Sequence, residues 1–316
     1  MFASRRPVML TGRYPLAAVA AALVFVAGVP GLTGPAGQRA SAVSRAGTVW
    51  AVNTSGQKVP VTTPAFTPTP VHPEKVTHPG ADYMGAVNIA HAPWGHSSPA
   101  RPATSAAMPR LPGIDISFYQ GIINWMSVAP SIDFSYAKAT EGTYYTNPDF
   151  HNQYGGPFSY GVIRGAYHFA IPNNSTGRAQ ADFFIKHGGG WSSDGRTLPG
   201  ALDIEYNPYG SECYGLTRPQ MVSWISNFAR EYAYREHAYP VIYTTTDWWS
   251  TCTGNYAGFG SHDPLWIARY AASAGPLPKG WVSYTFWQYS PSGRLPGDQD
   301  VFNGSYTKLK ALATNG

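Results

Sequence analysis

Seven short apolar runs, rich in β-branched and aromatic residues, recur between residues 113 and 290 and most constrain the fold of this chain. They comprise residues 113–117, 134–140, 161–169, 200–206, 239–246, 264–270 and 284–290. Several are almost continuously apolar, which is typical of parallel strands covered on both faces. Helical patterns lie between them over residues 175–187 and 217–237. This alternation predicts an α/β, barrel-like domain whose helices become fewer after about residue 255.

The distribution of charge argues against a nucleic-acid partner. The 316-residue chain has 22 Lys and Arg and 17 Asp and Glu, a formal net charge of +5. Residues 1–42 hold four arginines and no acid, whereas residues 111–316 hold 13 basic and 15 acidic residues, a net charge of −2. The basic excess therefore lies before the domain, and the domain lacks the basic surface that nucleic acid requires.

Residues 1–42 have the organisation of a secretory signal peptide. Arg5, Arg6 and Arg13 precede an apolar run over residues 16–29, which is shorter than the about 20 residues that span a bilayer. Ala40-Ser41-Ala42 provides a cleavage site. We therefore expect a secreted, extracellular protein without stable membrane association. A retained membrane anchor is the alternative.

Residues 43–110 form a Pro/Ser/Thr-rich leader or linker, with ten Pro and thirteen Ser or Thr among them. Such a composition favours extended, solvated backbone rather than a packed core. Residues 82–92 are less rich in proline, and we expect them to pack against the domain that follows. Residues 111–316 are then the folded, functional domain.

Two cysteines, Cys213 and Cys252, are too few for a disulfide-dense scaffold or a four-thiolate zinc site. In an exported protein they are expected to form one structural disulfide. Closing the loop between them should stabilise the fold by roughly 3–4 kcal/mol in the chain-entropy model.

Polar residues end most of the apolar runs, and the active site of an α/β barrel lies at the C-terminal ends of its strands. The candidates at or near these ends are Asp115, Tyr167, Asp203, Glu205, Tyr206, Tyr243, Trp266, Arg269, Gln288 and, after the last run, Asp298.

The pair Asp203-Ile204-Glu205 is the most informative of these features. Residues i and i+2 of a strand point to the same face, so two carboxyl groups are held side by side in an apolar setting. Crowding and burial raise one pKa, and a carboxyl group that stays protonated can act as a general acid on a glycosidic oxygen. Surface or metal-binding carboxylates are the alternative, but four of the nine histidines lie in the leader, and we expect no metal or other cofactor.

Aromatic residues near the strand ends fit a carbohydrate ligand, because flat rings pack against the C–H faces of sugars. Those near the ends are Tyr144, Tyr145, Tyr206, Trp248, Trp249, Trp266 and Trp287. A core position is the alternative for each tryptophan. Trp125 and Trp224 lie in helical stretches and are expected in the core.

Residues 111–316 resemble the glycoside hydrolase family 25 lysozymes, the Chalaropsis-type N-acetylmuramidases. The resemblance rests on GIDISFYQG (113–121), AKATEGTYYTNPDF (137–150), GVIRGAYHFA (161–170), GALDIEYNPYG (200–210), WIARY (266–270), FWQYS (286–290) and GDQDVFNGS (297–305). It implies a modified TIM-like (β/α) barrel with eight strands and a reduced number of helices. It also implies hydrolysis, with net retention, of the β-1,4 bond between N-acetylmuramic acid and N-acetylglucosamine in bacterial peptidoglycan. Related members are expected to accept muramic acid that is O-acetylated at the 6-position.

The resemblance also implies roles for individual residues. Glu205 matches the general acid, and Asp203 would orient the substrate or its acetamido group. Asp115 and Asp298 match the other family carboxylates, whereas Asp300 receives no catalytic role. Tyr167 matches a tyrosine near the reacting acetamido group. A covalent and an oxazoline intermediate both remain open.

The expected partner is the peptidoglycan glycan strand, and the protein is expected to be a monomer. Two other functions remain as alternatives: a barrel glycosidase acting on another N-acetylhexosamine polymer such as chitin, and a catalytically dead relative that binds cell walls.

Overall fold

The computed structural model describes residues 49–52, 58–61, 82–86, 88 and 110–316. Two short strands of the leader, β1 (Val49–Val52) and β2 (Lys58–Val61), pair in antiparallel fashion. The signal peptide expected over residues 1–42 and most of the leader lie outside the described residues.

The domain is a closed barrel of eight strands, which confirms the predicted fold class. Its strands are β3 (Arg110–Ile116), β4 (Phe134–Glu141), β6 (Ile163–Phe169), β7 (Ala201–Asp203), β8 (Val241–Thr244), β9 (Leu265–Ala268), β10 (Phe286–Ser290) and β11 (Asp298–Asn303). Neighbours from β3 to β10 are parallel, and β11 runs antiparallel between β10 and β3 to close the barrel. A two-residue strand, β5 (Tyr145–Thr146), extends the outer end of β4.

Six α-helices cover the outside of the barrel within residues 110–316. They are α1 (Trp125–Val128), α2 (Phe150–Ser159), α3 (Gly177–Phe184), α4 (Arg218–Glu236), α5 (Thr246–Thr253) and α6 (Tyr306–Asn315). Between α5 and α6 the described chain has no helix, as the loss of helical periodicity after about residue 255 predicted. The helix predicted over residues 175–187 ends in a π-helical turn, because Gly188 adopts a φ of +104°.

Local sequence explains the helix ends. Helix α4 begins after Thr217, whose hydroxyl and the Gln220 side chain form a capping box, and Pro219 occupies the first turn. It ends at His237, which adopts a left-handed conformation with a φ of +58°. The predicted helix over residues 217–237 is therefore confirmed.

The described residues form three apolar clusters, of which the smallest contains Trp125, the core residue predicted there, and the two largest flank the barrel wall. The inner cluster fills the barrel and includes Phe134, Tyr136, Trp266 and Phe286. The outer cluster lies between the sheet and the helices; its large members include Trp224, Phe228, Trp248, Trp249 and Trp287. Strand β4 is buried along its whole length, as expected for a strand covered on both faces.

A disulfide joins Cys213 to Cys252, with the Cα atoms 5.4 Å apart, as predicted. It ties the loop that follows β7 to helix α5, and the Trp248 indole N–H donates to the Glu212 carbonyl beside it at 3.2 Å. Among the residues the structure describes, no helix is both long enough and apolar enough to span a bilayer.

Candidate active site

Asp203 and Glu205 lie at the mouth of the barrel, where β7 ends. The backbone of Ile204 still bonds to the neighbouring strand, its N–H donating to the Tyr243 carbonyl at 3.0 Å, so the extended alternation continues past the strand. Ile204 and Tyr206 accordingly pack in the outer cluster. The two carboxyl groups face the other way and are buried. The i, i+2 spacing therefore places both acids at one point, as the sequence predicted.

The hydrogen bonds of this pair are incomplete. The carboxyl groups of Asp203 and Glu205 interact with each other, and neither Asp203 oxygen nor Oε2 of Glu205 has a hydrogen-bond partner outside the pair among the described residues. Oε1 of Glu205 accepts the backbone N–H of Gly85 at 2.6 Å. Buried polar atoms are rarely left unpaired. Three such oxygens in one place indicate a site that is shaped for a hydrogen-bonding ligand.

Burial holds protons on these carboxyl groups. It raises the pKa of Glu205 to about 8, against the lowering effect of the Gly85 N–H. Burial, followed by the nearby Glu205 charge, raises the pKa of Asp203 well above its ordinary range. At neutral pH Glu205 is therefore protonated, which is the state that a general acid needs.

Asp115 and Asp298 form a second carboxyl pair beside the first. They lie opposite each other in the antiparallel pairing of β3 and β11. Gln288 joins them, because its Nε2 donates to Asp115 Oδ2 at 2.8 Å and to Asp298 Oδ2 at 3.0 Å. Burial raises the pKa of Asp115 to about 7, and burial followed by the Asp115 charge raises the pKa of Asp298.

Asp300 lies one inward position deeper on β11 than Asp298. Its Oδ1 accepts the indole N–H of Trp266 at 2.9 Å, and its carboxyl group also interacts with that of Asp115. Burial and the Asp115 charge raise its pKa well above the ordinary range. Trp266 is fully buried in the inner cluster and packs on Tyr136 and Tyr243. It supports Asp300 from below, so its ring is not an exposed platform for a sugar.

Three tyrosine hydroxyls complete the inner rim of the site: those of Tyr167, Tyr243 and Tyr270. Tyr243 and Tyr270 both donate to Gln288 Oε1, at 2.7 Å and 3.1 Å, and so orient its amide toward the carboxyl pair. Arg269 and Tyr270 both end the sixth apolar run, but only Arg269 was predicted to bind substrate, although strand alternation could have identified Tyr270 as the inward residue. Trp266, Ala268 and Tyr270 share the inward face of the β9 segment, whereas Arg269 lies between them on the other face.

Two predicted binding residues lie away from the carboxyl groups. The Arg269 side chain donates to the Ser273 carbonyl at 3.0 Å, within the loop that follows β9. Tyr206 donates to Asp247 at 2.9 Å behind the sheet. Trp248, Trp249 and Trp287 are also fully buried in the outer cluster. These aromatic residues take the core positions that stood as the alternative to a carbohydrate surface.

A buried ion pair lies beside the site at the end of β4. Lys138 Nζ lies 2.6 Å from Glu141 Oε2, and both side chains are fully buried. Tyr144 and Tyr209 donate to the other oxygen of Glu141 at 2.7 Å and 2.6 Å. Lys138, Glu141 and Tyr209 lie in the family motifs over residues 137–150 and 200–210 and had no predicted role, whereas Tyr144 was predicted as an aromatic residue for a carbohydrate. Among the described residues, no group of His, Cys, Asp and Glu is arranged to hold a metal ion.

Comparison with known proteins agrees with this geometry. The family model for glycosyl hydrolases family 25 matches residues 114–298. Lysozyme M1 of Streptomyces globisporus is 46% identical over 259 residues, covering 80% of this chain and 88% of that protein. The N,O-diacetylmuramidase of Chalaropsis sp is 47% identical over 207 residues, covering 64% of this chain and 98% of that protein.

Solved structures match the domain. A muramidase from Acremonium alcalophilum is 53% identical with a TM-score of 0.64, covering 65% of this chain and 100% of that one. A bacterial lysozyme from Streptomyces coelicolor is 51% identical with a TM-score of 0.63, covering 65% of this chain and 97% of that one. On this evidence of sequence, fold and site geometry, the chain belongs to glycosyl hydrolases family 25.

Proposed function

We propose that this protein is a secreted lysozyme that hydrolyses the β-1,4 bond between N-acetylmuramic acid and N-acetylglucosamine in bacterial peptidoglycan. The observation that carries the proposal is the buried pair Asp203 and Glu205 at the barrel mouth, with raised pKa values and three oxygens that have no hydrogen-bond partner outside the pair among the described residues. Membership of family 25, and the relatives named lysozyme and N,O-diacetylmuramidase, support the choice of substrate.

Glu205 is the general acid in this proposal. Its carboxyl group is protonated at neutral pH, because burial raises its pKa to about 8. It delivers that proton to the oxygen between the two sugars as the bond from this oxygen to the muramic acid C1 breaks. The resulting carboxylate then takes a proton from the water molecule that attacks C1.

Asp203 acts on the acetamido group of the muramic acid. Its carboxyl group has no hydrogen-bond partner other than Glu205 among the described residues, and its carbonyl oxygen can accept the amide N–H. Held in this way, the acetamido carbonyl oxygen bonds to C1 while the glycosidic bond breaks. The amide nitrogen keeps its proton, so the ring is a positively charged oxazolinium ion, and water opens it from the opposite side while the Glu205 carboxylate takes up a proton of that water. Two inversions at C1 give net retention of configuration.

Asp115, Asp298 and Gln288 form the other wall of the site and hold the sugar through hydrogen bonds. The Tyr167 hydroxyl lies at the inner rim of the same site, above the inner cluster that its ring joins. The partner is the glycan strand of peptidoglycan, the protein acts as a monomer outside the cell, and the chemistry uses side chains alone, without a cofactor. By similarity to the N,O-diacetylmuramidase, we include O-acetylated strands among the substrates.

The test is the identity of the new reducing end after digestion of purified peptidoglycan. Products are reduced with borohydride and analysed by mass spectrometry, with Glu205→Gln as the matched control. We expect reduced muramic acid from the unsubstituted protein and at least a thousandfold lower rate from Glu205→Gln. Reduced glucosamine ends, or digestion of chitin instead, would refute the assignment of the bond. Equal behaviour of the two proteins would indicate a wall-binding relative.

A second experiment tests whether the configuration at C1 is retained. Proton NMR during early turnover of a soluble glycan gives the configuration at the new reducing end before mutarotation. The β-anomer is expected first, and the α-anomer would contradict retention.

A further inference from the structure

A short segment of the leader lies in the mouth of the barrel. We call its described residues, 82–86 and 88, the strap. Two backbone hydrogen bonds make it a compact turn: Ala86 N–H donates to the Tyr83 carbonyl at 2.9 Å, and Asn88 N–H to the Gly85 carbonyl at 3.1 Å. Gly85 adopts a φ of +85°, a conformation that favours glycine. The tightest point of this turn faces the catalytic carboxyl groups.

The strap backbone bonds to the groups that would handle substrate. Gly85 N–H donates to Glu205 Oε1 at 2.6 Å, and its carbonyl accepts the Tyr270 hydroxyl at 3.1 Å. The Met84 N–H donates to the Tyr167 hydroxyl at 3.4 Å, and its carbonyl accepts from Gln288 Nε2 at 3.4 Å. A peptide group presents the same N–H and C=O as an acetamido group, which explains why a site for N-acetyl sugars accepts it.

The side chains of the strap also engage the site. Met84 is fully buried and joins the inner cluster, and Asn88 Nδ2 donates to the Tyr243 hydroxyl at 3.0 Å. The Tyr83 ring packs edge-on against Tyr119, with centroids 5.3 Å apart, on the rim of a cavity of about 450 Å³ that reaches Asp298. At the other end, the Lys138 ammonium donates to the Asp82 carbonyl. The strap is therefore anchored on several sides of the mouth.

The fit at Gly85 leaves no room for a side chain. A Cβ atom there would clash with the Tyr270 hydroxyl and lie 2.7 Å from Gln288 Oε1 and 3.0 Å from the Tyr243 hydroxyl. Met84 is fully buried in the inner cluster, so the strap fills the mouth of the barrel rather than resting on its surface.

We propose that the strap is an inhibitory propeptide, which occupies the catalytic cleft in cis and keeps the protein latent until cleavage within residues 89–109 releases it. The inference rests on the proposed function, since it concerns the regulation of the same site. While Gly85 holds Glu205, no glycosidic oxygen can reach that carboxyl group.

The comparisons agree with a separable leader. The solved relatives match 65% of this chain, the share that residues 111–316 represent, and 97–100% of their own length, so their barrels stand without a strap. The match to Lysozyme M1 covers 80% of this chain and therefore extends into the leader.

The experiment uses the full chain with a recognition sequence for a specific protease in place of residues 97–102. Hydrolysis of dye-labelled peptidoglycan is measured before and after cleavage and gel filtration. We expect kcat/KM to rise at least tenfold on cleavage. Equal rates before and after would overturn the proposal.

A point variant tests the same contact without cleavage. Gly85→Ala should expel the strap, raise the activity of the intact chain at least fivefold and remove the slow hydrogen exchange of the strap amides. Gly155→Ala is the matched control, because a Cβ atom at this position in α2 meets nothing within 4 Å. Unchanged activity and unchanged exchange protection in Gly85→Ala would contradict the proposal. If Gly85→Ala does not fold, the comparison of the intact and cleaved chains tests the proposal instead.

Failure of the proposed function can be recognised separately. If neither the intact nor the cleaved protein hydrolyses peptidoglycan, the proposed lysozyme activity is wrong. Binding of the trimer of N-acetylglucosamine to each form then tests whether the strap blocks the cleft. Binding by the cleaved protein alone supports occlusion of the cleft. Equal binding by both forms refutes it.

Discussion

Asp115 and Asp298 lie opposite each other across the antiparallel pairing of β3 and β11 and share a single donor, the side-chain amide of Gln288. The amide is itself oriented by the hydroxyl groups of Tyr243 and Tyr270. One glutamine thus sets the distance and direction of two carboxyl groups that come from the two ends of the domain.

Gln288→Glu removes the shared donor and adds a third carboxyl group. We expect kcat/KM of the strap-released protein to fall by about tenfold to a hundredfold, because a hydrogen bond to a charged group contributes roughly 1.5–3 kcal/mol. Steady-state hydrolysis of solubilised peptidoglycan measures this. Gln220→Glu, at the beginning of α4, is the control and should keep its activity. A Gln288→Glu protein as active as the control would contradict the role of Gln288.

Asp298 and Asp300 differ in depth, and their amide variants should differ in effect. Asp298→Asn should lower kcat at least tenfold, since this carboxyl group faces the cleft. Asp300→Asn should stay within about threefold of the unsubstituted protein, because Asp300 lies deeper in the barrel and accepts the Trp266 N–H, a contact that an amide oxygen can replace. Measurement of kcat for both variants in parallel tests this difference. A loss of kcat greater than threefold in Asp300→Asn would indicate that Asp300 acts directly in the reaction.

Stability should fall as the pH rises. Burial raises the pKa of Glu205 to about 8 from 4.5 and that of Asp115 to about 7 from 3.8. The folded protein therefore retains protons that the unfolded chain has lost, so this contribution is complete below about pH 4 and is lost as the pH passes through 7 to 8.

We expect the free energy of unfolding of the intact chain to decrease by on the order of 6 kcal/mol between pH 5 and pH 8.5, at about 1.36 kcal/mol per unit of pKa difference for the two groups. Urea unfolding at several pH values measures it. Glu205→Gln should make the decrease smaller, because an amide does not titrate. A free energy that stays constant or rises over this range would be inconsistent with buried, protonated carboxyl groups.

The disulfide between Cys213 and Cys252 should be structural. The double variant Cys213→Ser/Cys252→Ser should lose about 3–4 kcal/mol of unfolding free energy, seen as a lower melting temperature. Activity at room temperature should remain, because Trp248 still holds the loop through the Glu212 carbonyl. Immediate loss of activity at room temperature would show that the bond shapes the cleft directly.

The fold was largely predictable because it follows from local patterns. Near-continuous apolar runs such as the one that forms β4 predicted buried parallel strands. Thr217 and Pro219 marked the beginning of α4. The closure of the barrel by an antiparallel β11 could not be predicted from these patterns, since it depends on pairing between residues at opposite ends of the domain.

The site was predictable where its residues are neighbours in sequence. Asp203 and Glu205 were predicted because residues i and i+2 of a strand lie on the same face. Arg269 was expected in the site and Tyr270 was not, because a run of apolar residues on both faces hides which side points inward. Gly85 and Glu205 are 120 residues apart in the sequence, and no local sequence pattern in either segment predicts their contact.

The barrel closes between its first and last strands, and this order governs when a chain can become active. Asp115 is made early and Asp298 near the end, so a partly synthesised chain lacks the second carboxyl group of the pair. The four carboxyl groups of the site therefore come together only after β11 has been added to the sheet.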